Sequence, residues 1–153
     1  MKNKTKITEE EYITYLGDSS LIFLNKFEKI SNGKISFNFA SALLGPLYLA
    51  YRKMYLITAI VLLLSMALPF NFASTLLIML FCGFITDYIY KSKAENDILE
   101  IKNSKRNKEA KKELIREAGG VSLLGPTVYI GVILFTLMYI TMAYVFMAPI
   151  YSM

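Results

Sequence analysis

Two charged positions and one buried-looking carboxylate hold most of the chemistry this chain could perform. Arg52 and Lys53 stand side by side in Tyr51-Arg52-Lys53-Met54-Tyr55. A guanidinium forks two phosphate oxygens, while an ammonium acts as a point charge beside it. Tyr48, Tyr51 and Tyr55 lie within a helical turn or so of the pair, and tyrosine suits the headgroup level of a bilayer. Arg52, Lys53, Tyr48, Tyr51 and Tyr55 therefore form a candidate lipid-headgroup corner; the bland alternative is a topological anchor. Asp87 is the one acidic residue bordering a long apolar run. With Lys91 four residues on, it reads as a local i, i+4 ion pair. The functional alternative, with Asn38 as a second polar group, is an ion or proton site, because intramembrane carboxylates are costly and often retained for work.

Other chemistries lack material. The chain has no His, and its single Cys82 lies inside an apolar run. A zinc or haem site, and serine or cysteine catalysis with an imidazole base, are therefore not expected within one chain. Neither a Walker loop nor a dinucleotide fingerprint occurs. The expectation is a non-enzyme with no catalytic residue, metal or cofactor.

The elements that must position these groups follow from hydropathy. Hydrophobic residues make up 55% of the 153, in long uncharged runs that mark a membrane protein. A single helix from Phe37 to Phe70 would be roughly 50 Å long, whereas the hydrocarbon core is about 30 Å thick. Burying Arg52 and Lys53 near its centre would cost on the order of 2.5–3.5 kcal/mol each. The chain must turn at this pair, with both charges at a membrane surface.

Before the pair, residues 37–51 carry Asn38, Ser41, Gly45, Tyr48 and Arg52 at spacings of three and four, a polar or small stripe on a helix. Pro46 predicts a kink. The segment is short for a crossing and reads as a kinked interfacial or re-entrant helix, with a full span as the alternative. After the pair come three predicted spans, 54–70, 72–90 and 123–148, with a turn at Pro69-Phe70-Asn71. The charged segment 91–120 lies between the last two, with a break expected in its polar middle, Lys102 to Glu109. Residues 1–34 form a polar N-terminal helical segment, and 35–153 the membrane domain. Thr8-Glu9-Glu10-Glu11 predicts a capping box opening a helix that Gly17 stops. Asp18 or Ser19 should cap a second helix, with Phe23, Leu24, Phe27 and Ile30 on one face. The fold class is thus all-α and membrane-integral.

Asn38-Phe39-Ala40, Leu44-Gly45-Pro46-Leu47-Tyr48 and Tyr51-Arg52-Lys53-Met54-Tyr55 together resemble a bacterial family of small membrane proteins, domain of unknown function number 2628. The resemblance spans about residues 16–118. Members usually carry tryptophan where Phe39 and Tyr48 stand here, and Asn where this chain has Asp87. The resemblance implies a bacterial membrane protein but no activity.

Charge placement gives the orientation. The 17 Lys/Arg fall as six in residues 1–34, two at Arg52-Lys53 and nine in 91–116. The positive-inside bias then puts the N-terminus in the cytoplasm and the C-terminus outside a bacterial inner or plasma membrane. The net charge of +5 lines that cytoplasmic face, and nucleic acid is not the expected partner. Expected partners are membrane lipids, anionic ones included, and another membrane protein or a second copy of the chain. The leading reading is a lipid- or protein-interaction component of the envelope. Its rival is a small transporter or channel subunit with a site near the Gly45-Pro46 break and Asp87. Leu43-Leu44-Gly45-Pro46 recurs as Leu123-Leu124-Gly125-Pro126, but the flanks do not align, and Gly-Pro serving two helix starts explains it.

Overall fold

A computed structural model describes residues 7–69 and 71–151, without the side chains of 143 and 146–151. Phe70 of the predicted turn, and the Lys4 and Met153 ends of the predicted topology, lie outside the described residues. Those residues form eight α-helices and no strand.

The N-terminal segment follows from its local chemistry. Helix α1 (Glu9–Leu16) opens on the Thr8 capping box: Thr8 N–H donates to Glu11 Oε2 at 2.7 Å, and Glu11 N–H donates to Thr8 Oγ1 at 3.4 Å. Gly17, at φ 58°, ends it in the left-handed region. A 3₁₀ turn leads into α2 (Ser20–Ser31). Ser19 stands at the N-cap of α2, but its side chain accepts nothing from that helix. Phe23 and Phe27 of α2 are buried, and Leu24 packs against the same core.

The segment 37–51 is two helices rather than one kinked helix. Asn38 caps α3 (Phe39–Leu44), its Oδ1 accepting from Ser41 N–H at 3.0 Å. Gly45 then takes φ 52°, and Pro46 opens α4 (Pro46–Tyr51) at the position proline fits best. A proline kink would have kept one helix axis; the left-handed glycine abolishes it. The polar stripe is not wet either, since Asn38, Ser41, Tyr48 and Arg52 are all buried. Helix α3 packs mainly on α6, and α4 on α5 and α8.

Helix α4 ends in a Schellman motif. Met54 N–H donates to Leu49 O at 3.0 Å, and Lys53 N–H donates to Ala50 O at 3.1 Å. Leu49 and Met54, the apolar pair that accompanies this motif, are both buried. Lys53 supplies the left-handed residue at φ 58° where glycine is usual. The turn that the charges demanded is therefore built by the backbone of the same residues.

Helix α5 (Tyr55–Ala67) has 13 residues, about 20 Å, shorter than the predicted 54–70, because Leu68 is already extended ahead of Pro69. Helix α6 (Phe72–Asn103) starts on an Asn71 cap and runs unbroken for 32 residues. It does not stop at residue 90, since no glycine or proline intervenes between Phe84 and Asn103. The expected break falls at residues 104–107, after which α7 (Lys108–Ala118) starts on Asn107. Gly119 and Gly120 dock on α1: Gly120 N–H donates to Tyr15 O at 2.7 Å, and a Cβ on Gly119 would lie 1.9 Å from that oxygen. Helix α8 (Leu124–Tyr151) completes the chain.

The core is continuous from Tyr15, Phe23 and Phe27 through Tyr90, Ala94 and Ile98 to Leu49, Met54 and Val61. Two helices, α6 and the Leu124–Met142 part of α8, are long and apolar enough to cross a membrane; α5 is a shorter apolar helix.

Candidate functional site

Asp87 is fully buried on α6, and three groups from other elements converge on it. Lys26 Nζ of α2 donates to Oδ2 at 2.8 Å, and Ser36 Oγ donates to the same oxygen at 2.6 Å. Asn38 Nδ2 donates to Oδ1 at 2.7 Å. Asn38 is the hub of the arrangement. Its Oδ1 caps α3, its amide serves Asp87, and its backbone N–H donates to Gly83 O of α6 at 2.8 Å. One turn along, Ser41 Oγ and Thr86 Oγ1 share a hydrogen bond of 2.5 Å, and Thr86 also donates to Cys82 O. Gly83 permits this closeness, because a Cβ there would lie 2.5 Å from the Phe37 ring. The candidate polar pair Asp87 and Asn38 is thus brought together.

The Asp87–Lys91 ion pair is not formed. Lys91 Nζ instead donates to Ser31 Oγ at 2.5 Å and Phe27 O at 3.3 Å, capping the C-terminal end of α2. Unsatisfied carbonyls at a helix C-terminus favour a cation. Asp87 faces α3 and takes its counter-charge from Lys26, 61 residues away in the chain. A signal for Lys26 existed in the sequence: it falls on the Phe23, Phe27, Ile30 face of α2.

The headgroup corner separates into an inner and an outer part. Arg52, 7% exposed, turns inward. Its guanidinium carbon lies 4.6 Å from the Phe23 ring centroid, 5.6 Å from Tyr90, 5.7 Å from Tyr48 and 5.9 Å from Tyr51. One nitrogen donates to Ser19 Oγ at 3.0 Å, which is where the expected capping hydroxyl went. Nε, Nη1 and the buried Tyr90 hydroxyl make no well-aligned hydrogen bond among the described residues, and the guanidinium and the Tyr90 phenol lie against each other. Such a guanidinium is held by ring quadrupoles, each interaction worth about 0.5–2 kcal/mol. Tyr48 is buried beside it, and Tyr51 is partly so. Lys53 and Tyr55 form the outer part: Lys53 Nζ donates to Glu117 O at 2.7 Å, and Tyr55 is half-exposed. Sequence spacing found these residues, but it could not say that Arg52 faces Phe23 and Ser19 of α2.

Outside the apolar helices, a third group ties α1 to α6. Tyr15 Oη donates to Asp97 Oδ2 at 2.6 Å, beside Lys93, and Lys102 Nζ lies 2.9 Å from Glu11 Oε1. Burial and then the Asp97 carboxylate push the Tyr15 phenol well above its ordinary pKa. Burial would raise the Glu11 carboxyl, but the Thr8 N–H and Lys102 outweigh it and hold it below the ordinary value. No cluster of three or more His, Cys, Asp or Glu able to hold a metal occurs among the described residues.

A family model described as protein of unknown function (DUF2628) matches residues 4–95. That span contains all of the Asp87 cluster and the Arg52 box, and leaves out α7 and α8. No curated protein and no solved structure matches the chain.

Proposed function

The chain belongs to the DUF2628 family of proteins of unknown function, and we propose that it is a non-enzymatic integral protein of the bacterial inner membrane that works by binding lipid or another membrane protein. The observation that carries this reading is the uncovered apolar surface. Only 6% of the apolar window in Leu124–Met142 is buried, and Leu134, Phe135, Met138 and Tyr139 are among its exposed side chains. Contiguous apolar surface on this scale needs a partner, and lipid supplies it. In this reading α5, α6 and α8 are the three crossings. Helix α5 gains reach from the extended Leu68 that follows it, worth about 3.3 Å.

The pair α3–α4 is then a re-entrant hairpin. In support, Gly45 and Pro46 share a cavity of about 290 Å³ with Ser65, Pro69, Ser74 and Thr75, at the end of α5 and α6 remote from Arg52. Gly45, where the helical backbone is interrupted, is buried in protein, the condition for irregular backbone at membrane depth. Helices α1, α2 and α7 form a cytoplasmic cap; Lys26–Asp87 fastens the cap to α6, and Arg52–Ser19 fastens it to the end of the hairpin. A transport role is less well supported, because Asp87 has no exposed surface and is already served by three protein donors. Carbonate extraction of membranes tests the proposal. The chain should remain in the pellet, and its release into the supernatant would refute it.

A further inference from the structure

We propose that the cleft between the start of α5 and the middle of α6 binds one anionic phospholipid, with its phosphate at Lys53 and an acyl chain below it. The cleft measures about 420 Å³, within the range of small-molecule sites. Its lining is of two kinds. Met54, Leu56, Ile57 and Ile89 supply apolar surface, and Lys53 with Ser92, Lys93, Asn96 and Asp97 of α6 supplies polar groups. On α6 the residues Ile89, Ser92, Lys93 and Asn96 follow at helical spacing, so one face passes from apolar to polar along the cleft. The occupant that matches this order has a hydrocarbon part and a polar head.

The charge at the polar end selects the head. Lys93 and Asp97 are paired with each other at 2.5 Å and neutralise one another. Lys53 has only the neutral carbonyl of Glu117 as hydrogen-bond partner. No carboxylate pairs with it among the described residues, so Lys53 brings a net positive charge to the rim of an apolar cleft, complementary to a phosphate. Helix α4 also ends with Lys53 in the left-handed region, where glycine is the unstrained choice. That backbone places Lys53 on the rim of the cleft while its side chain is held by α7. Arg52, buried in its aromatic box, is not available for this task.

This inference rests on the membrane reading above, and its test separates the two. The full chain is purified in mild detergent with equal phosphatidylglycerol and phosphatidylcholine, and bound lipid is read by native mass spectrometry. The parent should retain phosphatidylglycerol preferentially. Lys53→Gln should reduce that preference about fivefold, the loss of one lysine near an anionic headgroup. Lys53→Arg and the paired control Lys105→Gln with Arg106→Gln should keep it. Ile89→Trp, which fills the apolar end, should lower retention of both lipids, and it decides the matter if Lys53→Gln fails to fold. Excess glycerol phosphate should not displace the bound lipid. Equal retention of the two lipids by the parent, or parental preference in Lys53→Gln, overturns the site. Displacement by glycerol phosphate overturns it too, in favour of a soluble phosphate ligand. Failure of the membrane reading shows separately, as release of the chain by carbonate.

Discussion

Asp87 and Lys26 have the chemistry of a structural brace. A fully buried carboxylate is tolerable only while its charge is paired and hydrogen-bonded, and here Lys26, Ser36 and Asn38 supply that from two other segments. Lys26→Met strands the carboxylate and should destabilise the fold by about 3 kcal/mol in a reversible unfolding titration. Adding Asp87→Asn to it should restore most of that loss. Lys91→Met should show no such coupling to Asp87→Asn; strong coupling there would restore the i, i+4 pair that the structure lacks. Arg52→Lys should cost about 1–2 kcal/mol, because an ammonium cannot stack on the four rings or reach Ser19 in the same plane. The sequence made Asp87, Asn38 and Arg52 visible, since charge in an apolar context stands out. Spacing could put Lys26 on the inner face of α2. Its pairing with Asp87, and that of Ser19 with Arg52, stayed hidden, because periodicity reports neighbours along one helix and these partners lie 61 and 33 residues away.

Among the elements, local signals were the readable ones. The Thr8 capping box, the Gly17 stop and the turn at Arg52-Lys53 all follow from a few adjacent residues. What escaped was the depth of helix breaks. Gly45 replaces a kink by two short helices, and α6 continues past its apolar part as one rod. Tertiary contact decides such cases, as at Gly119, where the chain approaches the Tyr15 carbonyl too closely for any side chain. Gly119→Ala should cost about 1–3 kcal/mol and loosen α1 from α7, visible as lost amide protection in α1. The pH dependence of α1 has a definite sign. Glu11 ionises more easily in the folded chain, so its contribution is complete above its ordinary value of 4.5. That contribution is lost as pH falls through the lower folded value. After correction for the intrinsic, base-catalysed exchange rate, amide protection in α1 should therefore fall on acidification below 4.5, and Lys102→Met should weaken this dependence.

At the scale of the whole molecule, two buried braces join an uncovered apolar set of helices to a charged helical cap. Composition alone pointed to the membrane class. The proposed three-crossing arrangement draws on where 17 cations fall and on the packing of α3–α4 against α6, α5 and α8. Single-cysteine accessibility in intact cells, on a Cys82→Ala background, tests the arrangement most directly. Cysteines replacing Lys4 and Lys105 should be shielded from an impermeant reagent, while those replacing Asn71 and Met153 should react from outside. Labelling of position 4 from outside would contradict the account and make residues 37–51 a full crossing.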